Sequence, residues 1–106
     1  MRYYGFAEIT VTDAAWIGEY VTEVTRIIER RGGRYLARTG RVEAVEGESA
    51  PTTTVVLLEW PSKEAADEFY ESEEYRPYRE QRKAGATNRL LLIAGEDVTG
   101  AANVPG

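Results

Sequence analysis

Seven side chains in this sequence are the candidates for contacting a ligand. They are the aromatic residues Tyr4, Trp60, Tyr75 and Tyr78, the cations Arg38 and Arg82, and the carboxylate Glu59. Aromatic rings can form the walls of a cavity for a planar molecule, and a guanidinium or a phenol can stabilise negative charge on oxygen. These residue types therefore indicate proton transfer or oxyanion stabilisation on a planar ligand that carries a carbonyl or a carboxylate.

Each candidate also has a structural interpretation. A hairpin that turns near Ser49 would place Arg38 opposite Glu59 or Trp60, so an Arg38–Glu59 ion pair could brace the hairpin. The alternative is that Arg38 anchors an anion or a carbonyl in the cavity.

Tyr75, Tyr78 and Arg82 share one helical face. Tyrosines at that spacing are commonly core residues, and Arg82 could equally be solvated or cap the helix. Glu8 on the first strand could act as a base, although an exposed strand carboxylate is commoner.

The composition excludes several classes of site. The 106 residues include 18 acidic and 13 basic side chains, a net charge of −5, and neither His nor Cys. Haem held by imidazole, a His-based triad, zinc-hydrolase sites and disulfides are thereby excluded, and we expect no metal and no cofactor. The negative charge argues against nucleic acid as a partner. Without an apolar run near ~20 residues or a signal peptide, we expect a cytoplasmic protein with no membrane partner.

The elements that must position these candidates are predicted in the order β-α-β-β-α-β. The patterns predict a strand at Tyr3–Val11, a helix from Trp16 through Arg31, and a second strand over Arg34–Glu46 that is interrupted at Gly40. The helix carries an apolar stripe, and we expect its residues Trp16, Tyr20, Val24 and Ile27 to face Phe69 and the sheet. They further predict a turn at Gly47–Pro51, a strand at Thr52–Trp60, a helical region from Ser62 to Gly85, and a strand at Leu90–Ala94. This order is the ferredoxin-like α+β arrangement, an antiparallel sheet with two helices on one face. Residues 1–95 form the predicted domain, and 96–106 form a tail.

Local signals indicate where the helices begin and end. Gly32-Gly33 predicts a left-handed helix terminus. Ser62 is a natural N-cap, and Ser72 resembles a second cap, so the second helical region is predicted to break and restart there. Pro77 lies beyond the position where proline is most easily tolerated, which predicts a kink or a short 3₁₀ segment.

The third and fourth strands predict an assembly. Val55–Leu58 and Leu90–Ile93 are apolar without alternation, whereas a sheet with one solvated face alternates apolar and polar residues. Something must cover the second face, and another copy of the sheet is the simplest candidate. We therefore expect a homodimer in which the two sheets pack face to face.

The same segments resemble a known family. The resemblance lies in these pieces, in chain order: Gly32-Gly33-Arg34-Tyr35-Leu36-Ala37-Arg38, Glu46-Gly47, Pro51, Glu59-Trp60-Pro61-Ser62, Ala65-Ala66 and Ser72-Glu73-Glu74-Tyr75. Together they are similar to the domain of unknown function 1330 family of the dimeric α/β-barrel superfamily. The family more often has Phe at position 60 and Pro at 73. The resemblance implies the fold, a dimer, and a cavity between sheet and helices, but no substrate. Wider relatives include cofactor-free oxygenases, isomerases and haem-degrading enzymes, and the last kind needs the His that this chain lacks.

Three functional hypotheses follow. The first is a cofactor-free, enzyme-like protein that acts on a small aromatic or carbonyl-containing metabolite. The second is a non-catalytic binding or accessory protein that holds such a metabolite. The third is a purely structural homodimer whose own side chains fill the cavity.

Overall fold

The computed structural model describes residues 1–48 and 54–106. The strands are β1 (Tyr3–Val11), β2 (Arg34–Thr39), β3 (Thr54–Trp60) and β4 (Ala86–Ala94), and the helices are α1 (Ile17–Arg30), α2 (Lys63–Glu71) and α3 (Arg76–Gly85). The strands pair antiparallel in the order β2-β3-β1-β4. The predicted ferredoxin-like α+β fold is confirmed, with the second helical region divided into α2 and α3.

The sheet has two chemically different faces. Gly5 of β1 stands opposite Leu58 of β3, and a Cβ at Gly5 would lie 3.5 Å from the Leu58 Cβ and 3.9 Å from the Trp60 indole nitrogen. The helices pack on this side of the sheet and leave Leu90 and Leu92 of β4 partly exposed there. Because strand side chains alternate, the residues flanking Gly5 project from the opposite side, which we call the far face. By the strand register the far face includes Tyr4, Phe6, Glu8, Leu57, Glu59, Arg89, Leu91 and Ile93.

The core lies between the helices and the helix-facing side of the sheet. Val24 and Ile28 of α1 are buried there with the ring of Trp60. Phe69 of α2 stacks between Trp60 and Tyr75, with ring centroids 5.3 Å and 4.3 Å away. The predicted packing of the α1 apolar stripe against Phe69 and the sheet is therefore confirmed.

The Gly32-Gly33 pair ends α1 and permits its close approach to the core. Gly32 has φ +94°, and the backbone N–H of Gly33 donates to the Ile28 carbonyl over 2.9 Å. This is the left-handed terminus that the sequence predicts. A Cβ at Gly33 would lie 2.6 Å from Ile28 Cγ2 and 3.0 Å from the Trp60 ring, so only glycine fits without displacement.

Two serines divide the second helical region as predicted. The Ser62 hydroxyl accepts from the Ala65 backbone N–H over 3.1 Å at the start of α2. The Ser72 hydroxyl accepts from the Tyr75 backbone N–H over 3.3 Å before α3 begins. The predicted kink at Pro77 is wrong, because Pro77 lies in the first turn of α3, where its missing N–H has no helical partner to lose.

Some predicted strand boundaries are also wrong. The second strand ends at Thr39, residues 42–46 form no strand, and the bulge lies between Tyr35 and Ala37 instead of at Gly40. The fourth strand begins at Ala86, four residues before the predicted start, because pairing with β1 outweighs the polar sequence Thr-Asn-Arg. The predicted turn residues 49–51 and strand residues 52–53 lie outside the described residues.

The far face carries apolar side chains and ion pairs. Leu57, Leu91 and Ile93 are 37–47% exposed. Glu8 pairs with Arg89 across the strands at 3.0 Å. These ions flank an apolar patch that the helices do not cover.

Residues 95–106 contain no helix or strand. The carboxylate of Asp97 accepts hydrogen bonds from the backbone N–H groups of Ala102 and Thr99 over 2.7 and 2.9 Å. These bonds, with that from the Thr99 hydroxyl, hold the pKa of Asp97 below its usual value.

Candidate functional site

A cavity of about 140 Å³ lies between the helix-facing side of the sheet and the helices. Apolar side chains of β1 and β3, among them Ile9, Val56 and Leu58, form one wall. The polar groups that reach the cavity come mainly from the helices and from β2. They are Tyr20, Tyr35, Arg38, Thr54, Tyr70, Tyr75 and Arg82.

Two tyrosines from different helices meet at this cavity. Tyr20 lies on the apolar stripe of α1, where Trp16 contacts it edge-on at 5.0 Å. Tyr75 is held directly before α3 by the Ser72 cap and by stacking on Phe69, and only 2% of it is exposed. The hydroxyl oxygens of Tyr20 and Tyr75 are 2.9 Å apart. One hydroxyl donates to the other, so the pair keeps one proton to offer to a third group.

Arg82, in the last turn of α3, is the buried charge of this cavity. It is 2% exposed, and its Nε and Nη2 atoms have no hydrogen-bond partner. Among the described residues, only three buried side-chain atoms lack a partner, and two of them belong to this guanidinium. Each such donor costs about 1–3 kcal/mol unless something binds it. A buried cation with free donors is therefore the most unusual feature of the molecule.

The protonation states make the site rich in donors. Burial raises the pKa of Tyr20 well above its usual value, Tyr75 raises it further, and Arg82 acts in the opposite direction. Burial lowers the pKa of Arg82, but the phenols of Tyr75 and Tyr20 raise it by more, so the guanidinium stays charged. Because no carboxylate lines the cavity, its described residues offer donors and positive charge but no ready base.

Of the seven predicted site residues, the structure brings Tyr75, Arg82 and Arg38 to the cavity. Arg38 lies toward its exposed side. Its guanidinium carbon is 4.4 Å from the centre of the Tyr35 ring, and its Nη1 donates to the Thr25 hydroxyl over 2.9 Å. Arg38 is thus engaged by α1 and β2, whereas Arg82 interacts with the phenols of Tyr20 and Tyr75 and keeps two donors unpaired.

The predicted Arg38–Glu59 ion pair is wrong. Arg34 stands opposite Glu59, and beyond the bulge Arg38 stands opposite Val56. Glu59 instead pairs with Arg2 and Arg34, each at 3.2 Å. It lies on the far face.

The other predicted residues also lie outside the cavity. Tyr4 projects from the far face with Glu59. Trp60 is 2% exposed and packs in the core against Phe69. Tyr78 lies against α1, where burial and the carboxylates of Glu19 and Glu23 raise its pKa.

Sequence reasoning missed Tyr20, which was predicted only as part of the apolar stripe of α1. The available signal was a hydroxyl on a stripe whose other members, such as Trp16, Val24 and Ile27, are hydrophobic. Tyr35 was likewise seen only as part of a motif, and its ring supports Arg38. Glu8, which the sequence analysis considered as a possible base, forms an ion pair with Arg89 on the far face.

A wider groove of about 410 Å³ adjoins the cavity along β4. Both are bordered by Tyr70 and Leu90 and share part of the same sheet surface. Asp67 and Glu71 of α2 add carboxylates to the groove. The cavity thus has a positive interior, and the groove beside it has a negative border.

Residues 1–48 and 54–106 contain neither a cluster of metal ligands nor a membrane-spanning helix. No three or more Asp or Glu side chains come together there as a metal site would require. None of the helices there has the length and apolar character needed to cross a bilayer.

Solved structures with the same fold support the class assignment. A protein of unknown function from Rhodopseudomonas palustris is 17% identical with a TM-score of 0.73, over 87% of this chain and 80% of that one. SnoaB, a cofactor-independent oxygenase from Streptomyces nogalater, is 14% identical with a TM-score of 0.63, over 93% and 97%. Rv0793 from Mycobacterium tuberculosis is 21% identical with a TM-score of 0.57, over 92% and 97%. No curated protein matches the chain.

The fold and cavity together define a small ferredoxin-like α+β protein with a buried cationic chamber between sheet and helices. The family is equally clear. The model for the domain of unknown function 1330 matches residues 2–96, and the chain belongs to this family.

Proposed function

We propose that this protein binds a small planar organic molecule through a carbonyl, enolate or carboxylate oxygen, in the cavity between sheet and helices. The observation that carries the proposal is the buried guanidinium of Arg82, whose Nε and Nη2 donors have no partner. An oxygen acceptor from a ligand would satisfy these donors and offset the cost of burying them. The Tyr20–Tyr75 pair supplies a further donor at the same cavity.

The donor set favours one kind of chemistry. Arg82 and the neutral phenols would stabilise negative charge that forms on a ligand oxygen, as an oxyanion hole does. The described lining contains no carboxylate to abstract a proton, so a reacting molecule must be acidic enough to ionise on binding. A structural neighbour, SnoaB, is a cofactor-independent oxygenase, which supports an enzymatic role for a protein of this fold. Binding without catalysis is the alternative, and the same donors would serve it.

A ligand screen tests this proposal. Planar carbonyl compounds and carboxylates should raise the melting temperature of the wild type, and the shift should disappear in Arg82→Met. Tyr75→Phe should reduce the shift without abolishing it, because Arg82 remains. Arg76→Met is the matched control, since Arg76 lies on α3 with an exposed side chain that pairs with Glu73. Equal shifts in Arg82→Met and Arg76→Met would contradict the proposal.

Measurement of turnover distinguishes a catalytic function from binding without catalysis. Compounds that bind would be incubated with the wild type and Tyr75→Phe, and products followed by mass spectrometry and oxygen consumption. Product formation that falls in Tyr75→Phe supports an enzyme. Tight binding with no product after prolonged incubation supports the binding protein.

We also propose that the far face joins two copies of the chain. Its support is the apolar patch of Leu57, Leu91 and Ile93, which the helices leave uncovered. Sedimentation equilibrium at micromolar concentration should give a dimer for the wild type and a monomer for Leu91→Asp. Val98→Asp is the control, because Val98 is 90% exposed in residues 95–106. A wild type that stays monomeric would refute the dimer.

A further inference from the structure

We infer that Arg82 is a carboxylate subsite, and that the ligand is a compact monocarboxylate with a single ring. This inference rests on the proposed function and narrows it, because a carbonyl or an enolate oxygen would also satisfy that proposal. Three features support it: the particular guanidinium atoms that lack partners, the charge of the lining and the volume of the cavity.

The two unpaired nitrogens of Arg82 are the pair that forms one edge of the guanidinium. Nε carries one N–H, and the N–H of Nη2 on the same edge points parallel to it. Two parallel donors match the two oxygens of a carboxylate, which binds them bidentately. A single carbonyl oxygen would leave one of these buried donors poorly satisfied. The pattern of unpaired atoms therefore favours a carboxylate over a ketone, an amide or a phenol.

The charge of the cavity favours a monoanion. Arg82 is the deeply buried cation of the lining, and Arg38 lies on its exposed side in contact with Tyr35 and Thr25. One carboxylate would neutralise Arg82, whereas a dianion would bring uncompensated charge into an apolar chamber. A second carboxylate that extended into the adjoining groove would meet Asp67 and Glu71. Dicarboxylates should therefore bind more weakly than monocarboxylates.

The volume of the cavity limits the body of the ligand. A cavity of about 140 Å³ is close to the ~150 Å³ apolar cavity that accommodates one benzene molecule. Ile9, Val56 and Leu58 provide an apolar wall, and the rings of Tyr20 and Tyr75 provide an aromatic one. One ring fits this chamber, while a fused second ring must extend past Leu90 into the groove.

Calorimetric titration with matched probes tests the subsite. Benzoate should bind the wild type at least tenfold more tightly than benzamide, acetophenone or phthalate, because each comparator lacks the carboxylate or adds a second one. 1-Naphthoate should also bind more weakly than benzoate. Arg82→Lys retains the charge but loses the parallel donors, so benzoate affinity should fall at least tenfold. Arg76→Lys on the exposed side of α3 is the control and should leave the affinity unchanged.

A spectroscopic readout distinguishes a bound carboxylate from a merely structural role of Arg82. The Nε–H resonance of Arg82 can be assigned in ¹⁵N-labelled protein by its absence in Arg82→Lys. Saturating benzoate should shift this resonance downfield, as expected for a charge-assisted hydrogen bond. Benzamide at the same concentration should shift it much less.

The outcomes separate this inference from the proposed function. If acetophenone and benzamide bind the cavity as tightly as benzoate, the carboxylate subsite is overturned while the proposed cavity function stands. If no single-ring probe binds or perturbs Arg82, the inference is overturned. The wider screen of planar compounds with Arg82→Met then decides the proposed function separately. Benzoate binding that survives in Arg82→Lys also overturns the subsite.

Discussion

The two faces of the sheet differ in whether their charged side chains have partners. On the far face, Glu59 has two cationic partners, Arg2 and Arg34, each at 3.2 Å. On the helix-facing side, Arg82 is almost completely buried and its Nε and Nη2 have no partner at all. A charge with two partners needs nothing from outside the chain, whereas an unsatisfied buried charge does. We therefore expect a ligand to bind on the helix-facing side and a protein partner to bind on the far face.

The largest expected difference between the two faces concerns apolar packing. Phe69→Ala removes a ring held between Trp60 and Tyr75, and it should lower the free energy of unfolding by about 3–5 kcal/mol. Leu91→Ala on the far face should cost less than ~1 kcal/mol at low protein concentration, since Leu91 is 41% exposed. Urea denaturation of both variants measures this.

Protein concentration sharpens that comparison. If the far face forms a dimer interface, the cost of Leu91→Ala should rise with concentration, while that of Phe69→Ala should not. Equal costs for the two variants in dilute solution would break the distinction between the faces.

The second prediction concerns Arg82→Met, a variant that removes the unsatisfied buried charge. Arg82→Met should raise the free energy of unfolding of the unliganded protein by about 1–3 kcal/mol, because it eliminates buried donors without partners and retains most of the volume. The measurement is chemical denaturation at neutral pH without added ligand. A strong destabilisation would mean that Tyr20 and Tyr75 already satisfy Arg82 and that this side chain needs no ligand.

The third prediction concerns the tyrosine pair. Tyr75→Phe should lower the free energy of unfolding by about 0.5–1.5 kcal/mol through loss of the bond to Tyr20. It should also lower the pKa of Tyr20, which Tyr75 helps to raise. Ultraviolet titration of phenolate absorbance in the wild type and in Tyr75→Phe measures that shift.

The pH dependence of stability follows from the same residue. The pKa of Tyr20 is higher in the folded than in the unfolded chain, so its contribution is complete below the unfolded value of about 10. That contribution should be lost as the pH rises from there toward the folded pKa. Unfolding free energies measured between pH 8 and 11.5 should fall above about pH 10, and less steeply in Tyr20→Phe.

The smallest expected effect lies on the far face. Glu59→Gln should change the free energy of unfolding by about 1 kcal/mol or less, because Arg2 and Arg34 are partly exposed and water can solvate them. The effect should shrink further at high salt. A cost comparable to that of Phe69→Ala would show that the Glu59 ion pairs are buried in an assembly.

Much of the fold could be predicted because its signals are local. The Gly32-Gly33 terminus and the caps at Ser62 and Ser72 depend on a few neighbouring residues, and each lies where it was predicted. Pro77 was misjudged for a related reason. The new helix begins at Arg76, a position that depends on how Tyr75 packs against Phe69.

The candidate site was less predictable because its members are distant in sequence. Tyr20 and Tyr75 are 55 residues apart, and only the packing of α1 against α3 brings their hydroxyls together. The Arg38–Glu59 pairing failed because β2 and β3 pair in another register, in which Arg34 stands opposite Glu59 and Arg38 stands opposite Val56. Val56 and Glu59 are three residues apart, and an odd displacement along a strand exchanges the faces of the sheet, so Arg38 and Glu59 lie on opposite faces.

By itself, the sequence determined the class of fold, the element order, the family and the exclusion of His- and Cys-dependent chemistry. These follow from composition and from interactions between near neighbours along the chain. The tertiary structure alone decided which arginine is buried with two donors unpaired, which tyrosines share a hydrogen bond, and which charges lie on the far face. Burial and strand register are properties of the packed chain, and no local pattern in the sequence encodes them.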